Sequence, residues 1–194
     1  MTVSALLSRE SQQQLHHFAA RAVLTPQLDR LWQIESGFVR TLTWLEDGTN
    51  VALGIWGEGD VVGVPFSQAD PFQMECLTKV EAIALPFSQL QNASKVLLSH
   101  LHQAETLMQI HSQKRVDIKV LKFLDWLDQR FGQDVATGRL INLRLTHQDI
   151  SEAIGTTRVT VTRILNQLEK QGLIQCLPLQ RIIVQEHELW HYQI

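Results

Sequence analysis

The segment that most restricts this chain is LTHQDISEAIGTTRVTVTRILNQLEK, residues 145–170. Its centre is crowded with β-branched residues, which favour strands, while its tail is a good helix former. Periodicity settles the conflict. At 100° per residue, Val161, Ile164, Leu165 and Leu168 fall within one arc of about 100°, a core face. Arg158, Val159, Thr162, Arg163 and Asn166 take the other side, with Thr160 beside them. The spacing therefore predicts a helix over residues 157–170, against its propensity. Upstream, Thr146 and Asp149 have the spacing of a capping box that opens a short helix striped by Ile150 and Ile154. Gly155 supplies a tight turn, and two helices joined in this way form a helix-turn-helix. The following GLIQCLPLQRIIVQ reads as strand, turn and strand, which adds a wing.

The outer face of the second helix is unusual for a solvated surface, which prefers Glu and Lys. Arginine bonds a guanine edge bidentately, Thr hydroxyls reach phosphates, and Val or Thr methyls touch thymine methyls. Short side chains let such a helix sit deep in a groove. The charge balance says much less. Net charge is −3, with 5 Lys/Arg against 10 Asp/Glu in residues 1–94 and 12 against 10 in residues 95–194. A half that is only mildly basic does not announce nucleic-acid binding, so the motif carries that reading.

Residues 5–23 read as a polar-rich helix. LWQIESGFVRTLTWLEDGTNVALGIWGEGDVVGV, residues 31–64, is strand country: Val51, Leu53 and Ile55 alternate, and Asp47-Gly48 is a hairpin turn. MECLTKVEAIALP adds strands, and a small antiparallel roll results. From about residue 97 to 131 the pattern is helical. Leu97, Leu101, Ala104, Met108 and His111 share a stripe, followed by Ile118, Leu121 and Leu124. A helix of about 30 residues would span roughly 45 Å. One small domain cannot cover it, so a dimer seam is expected. The stripe weakens at HSQKRVD, where either the helix breaks or polar groups face a partner or ligand. FGQDVATG reads as a linker, with Gly132 a C-cap candidate. The expected fold is α+β in three parts: a roll over 1–94, a dimerisation helix over 95–131 and a winged helix-turn-helix over 132–194.

Taken together, these segments resemble the CRP/FNR family of bacterial transcription regulators. LTHQDISEAIGTTRVTVTRILNQLEKQGLI matches the family's DNA-binding motif, residues 31–64 its sensory cyclic-nucleotide-binding-like roll, and the long helix its dimerisation helix. The match covers roughly residues 31–186. Within the family, AIGTTRVTVTRIL is most similar to the cyanobacterial nitrogen regulators, which also place Val where this chain has Val159. The resemblance implies a homodimer on pseudo-palindromic double-stranded DNA, with half-sites one helical turn apart. It implies that Arg158 and Arg163 read bases, that Val159 and Thr160 help specify the half-site, and that Thr146, His147, Gln148 and Thr162 hold phosphates. Thr157 opens the same face.

The chain also departs from the family. The strand pair that family members place before LWQIESG is replaced by LHHFAARAVLTPQ, so a shortened roll is expected. Cyclic-nucleotide binders carry Glu after the glycine matching Gly63 and an Arg further on. This chain has Val64-Pro65, and no Lys or Arg between Pro65 and Lys79. An anionic phosphate would lack its charge partner, and cyclic-nucleotide dependence is not expected. The resemblance of GDVVGV to the nitrogen regulators keeps 2-oxoglutarate as an alternative effector, with Lys114, Arg115 and Lys119 as compensating cations. Otherwise those three are solvated helix charges, and the effector is left unassigned. The N-terminal cysteine set of iron–sulfur sensing is missing, and Cys76 and Cys176 read as two buried thiols.

Rival motifs remain. HELWH, residues 187–191, matches H-E-x-x-H, which on a helix pairs two zinc ligands with a general base. With only three residues beyond it, no third ligand follows. His100 and His102, and His16 and His17, raise a cupin-like metal enzyme, but the first pair lies in helical sequence and reads as helix surface. A haem ligand among His16, His17 and His111 is a further alternative. Trp32, Trp44, Trp56, Trp126 and Trp190 read as core or interface. The reading retained is not an enzyme and has no metal or cofactor. The roll is left open to docking another regulator or RNA polymerase. The start, MTVSALLSRESQQQ, lacks the pattern of a signal peptide, and no apolar run approaches the ~20 residues of a membrane span. A cytoplasmic location is expected.

Overall fold

Antiparallel pairing organises the first half of the chain. The computed structural model describes residues 14–185. Eight strands come first: β1 (Leu15–Phe18), β2 (Val23–Leu24), β3 (Arg30–Ser36), β4 (Val39–Trp44), β5 (Asn50–Trp56), β6 (Val61–Val62), β7 (Gln73–Cys76) and β8 (Val80–Pro86). They form two four-stranded sheets, ordered β1-β8-β3-β6 and β2-β7-β4-β5. Between the sheets lie Leu24, Trp32, Ile34, Val39, Met74, Cys76 and Ala82, all buried. The turn between β4 and β5 forms where Asp47-Gly48 predicts it. Gly48 sits at φ +80°, and the Asp47 carboxylate accepts the Thr49 N–H at 2.9 Å.

Two expectations for this half need correction. Among the described residues, the segment expected to be helical over 5–23 is instead extended. β1 pairs with β8 and β2 with β7, so the chain ahead of Leu31 gives one strand to each sheet. The pleat also fails to sort β5 as expected. A bulge shifts register between Thr41 and Leu42, and Ala52 and Ile55 are more buried than Val51 and Leu53. Helices cover the outer face of β5, so both of its faces are packed.

The long helical stretch is two helices, α1 (Ala93–His111) and α2 (Val116–Phe131). The chain turns through residues 112–115, within the polar run HSQKRVD. The two halves of the apolar stripe then part company. On α1, Leu97, Leu98, Leu101 and Met108 are exposed, while Gln103, Leu107 and Ile110 are buried. On α2, Val120, Leu121, Phe123, Leu124, Trp126 and Leu127 are all buried within this chain. The exposed apolar stripe expected over 97–131 is thus found on α1 and not on α2. FGQDVATG is not a linker either. It supplies β9 (Gly132–Val135) and the turn into β10 (Gly138–Ile141). Gly132 ends α2 in extended backbone, at φ −67° and ψ 141°, not in the left-handed cap expected of it.

After β10 come α3 (His147–Ile154), α4 (Arg158–Lys170), β11 (Ile174–Leu177) and β12 (Arg181–Val184). The third sheet is ordered β11-β12-β10-β9. One apolar core ties α2 to this unit and to the roll. It joins Leu42, Ala52 and Ile55 to Ile110, Phe123 and Leu124, and these to Ile150, Ile154, Val161 and Leu165. Among the described residues no helix is long and apolar enough to cross a membrane.

Phe123 is fully buried at the centre of that core, whereas Val159 is 78% exposed. Phe123→Ala is expected to lower the unfolding free energy by about 3–5 kcal/mol in a urea titration. Val159→Ala should change it by less than about 0.5 kcal/mol.

Candidate nucleic-acid interface

The capping box forms as its spacing predicts. The Thr146 hydroxyl accepts the Asp149 N–H at 3.0 Å, and the Asp149 carboxylate accepts the Thr146 N–H at 2.8 Å. Ile150, Ala153 and Ile154 turn inward. Gly155 closes α3 at φ +65° and ψ 57°, a left-handed conformation natural to glycine. Thr157 caps α4, its hydroxyl accepting the Thr160 N–H at 3.2 Å. Burial then sorts α4 as the period requires: Val161, Ile164, Leu165 and Leu168 are its buried residues. Tertiary packing of that stripe holds the β-branched run helical.

What remains outside is a contiguous polar face. Thr146, His147, Gln148 and Arg158 line one open groove of about 370 Å3, together with Gln180 from the wing. Val159 and Arg163 are exposed on the same helix as Arg158. Thr157 and Thr160 hydroxyls lie 2.9 Å apart, so Thr160 braces the capping Thr157 hydroxyl. Thr162 back-bonds to the Arg158 carbonyl at 3.0 Å and sits 2.7 Å from His147 Nδ1, so it holds α3 and α4 together. Burial, with the neighbouring Arg158 charge, pushes the His147 imidazole below its ordinary pKa. All nine predicted residues thus fall on α3 and α4 or their caps, and four share one groove. Gln180 escapes the sequence reading. Leu179 and Gln180 both hold positive φ, 63° and 60°, after Pro178, and nothing in residue type announces that turn.

A convex helix with two exposed arginines, an exposed valine and short hydroxyls suits the floor of a DNA major groove. The comparisons agree. The model of a Crp-like helix-turn-helix domain matches residues 118–190. The regulatory protein CysR of Synechococcus elongatus is 44% identical over 147 residues, covering 74% of this chain and 71% of that protein. The chain belongs to the CRP/FNR family of transcription regulators. A global nitrogen regulator of Nostoc is 30% identical over 162 residues, covering 75% and 73%. The fold is that of FixK2 from Bradyrhizobium japonicum, with TM-score 0.78, 22% identity, and 92% and 95% of the two chains covered.

The roll holds a second cavity, of about 340 Å3, walled by Trp56, Phe66, Phe72, His100 and Ala104 among others. Its lining contains no Lys, Arg, Asp or Glu. His100 is therefore no surface histidine. Its Nε2 lies 2.8 Å from the Val61 carbonyl, and its ring packs 4.0 Å from Trp56 and 4.4 Å from Phe66. Lys119 turns away from the roll toward the helix-turn-helix, its Nζ 3.4 Å from the Ile154 carbonyl. The two cysteines differ: Cys76 is buried, its thiol pushed up to about 12 by burial and by Glu75, whereas Cys176 is exposed. Trp32, Trp56 and Trp126 are buried, and Trp44 is 41% exposed. Among the described residues no three His, Cys, Asp or Glu side chains gather to hold a metal. HELWH and Trp190 lie outside the described residues.

His100, His111 and His147 are all held below the usual histidine range, each chiefly by burial. The neutral form is favoured in the folded state, so stability is full above the unfolded value near pH ~6.5 and falls as pH drops below it. Thermal unfolding at pH 7.5 and 5.5 should show this loss, and His100→Gln should reduce it.

Proposed function

We propose that the chain is a sequence-specific DNA-binding regulator acting as a homodimer on a pseudo-palindromic site. One observation carries the reading: Arg158 of α4 lines one groove with Thr146, His147, Gln148 and Gln180, and Val159 and Arg163 are exposed on the same helix. Arg158 and Arg163 read base edges, and Val159 and Thr160 select the half-site. Thr146, His147, Gln148 and Gln180 take phosphates, while Thr157 and Thr162 order the two helices behind them. The relatives, a regulatory protein and a global nitrogen regulator, support a regulatory role. They also support a chain with no enzymatic activity, acting in the cytoplasm.

The homodimer rests on α1. Leu97, Leu101, Ala104 and Met108 recur at four- and three-residue spacing, and all four are exposed in the single chain. Pairing two such stripes buries them and fixes the distance between two copies of α4. The cavity of Trp56, Phe66 and Phe72 offers an anionic effector, whether cyclic nucleotide or 2-oxoglutarate, no lysine or arginine partner. A larger cavity of about 950 Å3 beside it, between the roll and the start of α1, is lined by Lys95 together with Glu58 and Asp60.

Selection of duplexes from a random pool should enrich a palindrome with half-sites about one turn apart. Arg158→Ala should cost about 1–3 kcal/mol per half-site on the selected sequence and much less on random DNA. Equal loss on both would remove the base-reading role. Light scattering at micromolar concentration should give a dimer, and a monomer would refute the α1 seam.

A further inference from the structure

The acid that caps α3 has a second set of partners, outside the helix-turn-helix. Arg21, in the turn between β1 and β2, forks onto Asp149: Nη1 donates to Oδ1 at 2.8 Å and Nη2 to Oδ2 at 2.7 Å. Arg40, on β4, puts Nη1 3.0 Å from the same Oδ1 and 2.7 Å from the Glu152 carboxylate. Both arginines also bind Glu75 of β7. Asn50 of β5 donates to Glu152 at 3.1 Å. The Asp149 side chain is 3% exposed and that of Arg40 9%. Burial would raise the Asp149 carboxyl, but Arg21, Thr146 and Arg40 hold it below the usual carboxylate range.

This cluster is costly to assemble. Buried ion pairs bring little net stability, because desolvation cancels much of the attraction. Arg21 moreover sits at φ 67°, unusual for a residue other than glycine. Its turn is tied to β7 by the Arg21 N–H on the Cys76 carbonyl at 2.7 Å and the Cys76 N–H on the Ala22 carbonyl at 2.8 Å. A strained turn braced to present one guanidinium to the carboxylates of Asp149 and Glu75 points to a requirement beyond stability.

That requirement follows from where Asp149 lies. It is in the first turn of α3, whose Thr146, His147 and Gln148 line the open groove. An uncompensated carboxylate there would repel a phosphate arriving at the helix N-terminus, which otherwise attracts anions. No residue of the roll lines the groove, so the cluster leaves it accessible.

We propose that Arg21 and Arg40 of the roll are positioning residues for the DNA interface, clamping α3 to the roll through Asp149 and Glu152 and neutralising the carboxylate that caps the phosphate-facing turn. The proposal rests on the DNA-binding reading above and assigns the roll a part in it. Neither arginine touches DNA. Each acts through the acids of α3.

The test uses the full chain with Arg21→Gln, Arg40→Gln, Asp149→Asn and the double variant Arg21→Gln/Asp149→Asn. Arg21 is half-exposed, so its variant tests the clamp even if the Arg40 variant fails to fold. Affinities are measured for the selected duplex and for random duplex across a salt series, and amide hydrogen exchange is followed in α3 without DNA. Arg21→Gln should weaken both duplexes by on the order of tenfold, with their ratio unchanged. The slope of log affinity against log salt should also stay unchanged, since no phosphate contact is lost. Exchange in the first turn of α3 should quicken. In the Asp149→Asn background the same substitution should cost little, because its partner charge is gone. An equal cost in both backgrounds would mean that Arg21 does not act through Asp149, and a tighter complex would make the clamp a brake. Either result overturns the proposal. If the parent chain binds no duplex, the DNA-binding reading fails by itself. Hydrogen exchange then decides the clamp, and unchanged protection of α3 in Arg21→Gln overturns it.

Discussion

The arrangement depends on how α2 is buried. Six of its side chains, from Val120 to Leu127, are taken up by a core that reaches the roll on one side and α3 and α4 on the other. A helix apolar around so much of its circumference cannot be left against solvent. It must be enclosed, and enclosing it brings the sheets of the roll and the helix-turn-helix onto a common base. Arg130 and Phe131 extend that junction at its end. Arg130 donates to Asp60 at 2.6 Å, and Phe131 packs edge-on against Phe38 at 5.1 Å.

On that base, apolar and polar interactions divide the work. Burial of Val161, Ile164, Leu165 and Leu168 overrides the strand preference of a Thr- and Val-rich run and makes α4 a helix. The residues left over are short and β-branched, with two arginines, and they form the face that suits a major groove. The polar cluster around Asp149 acts at longer range, linking residues more than a hundred positions apart in the chain. The two kinds of contact meet in α3, apolar toward the core and ionic toward the roll.

The roll itself has changed its chemistry relative to what a cyclic-nucleotide site demands. Where a phosphate partner would stand, the wall is Phe66, Ser67, Gln68 and Ala69, facing Trp56 and His100. The roll's buried arginine, Arg40, points instead at α3. The charge of Arg40 is thus used at the junction with the helix-turn-helix, while the cavity of Phe66 and Trp56 is walled without lysine or arginine.

Local sequence was enough for the capping box, the Gly155 turn, the α4 core face and the Asp47-Gly48 hairpin. Each depends on residues within a few positions of one another, where period and turn chemistry act directly. It was also enough for the family, because those local patterns are dense in one 30-residue stretch. The polar run HSQKRVD marked the place where the break between α1 and α2 falls, but the strand character of residues 15–24 and the pairing of residues 132–141 depended on partners distant in the chain. A short apolar run becomes a strand only when an edge such as β8 is there to receive it, and period alone cannot show that. Gln180 entered the groove through a wing turn held by tertiary contacts. Arg21 and Arg40 meet Asp149 only in the fold, since ion pairing across such separations leaves no spacing in the sequence to read.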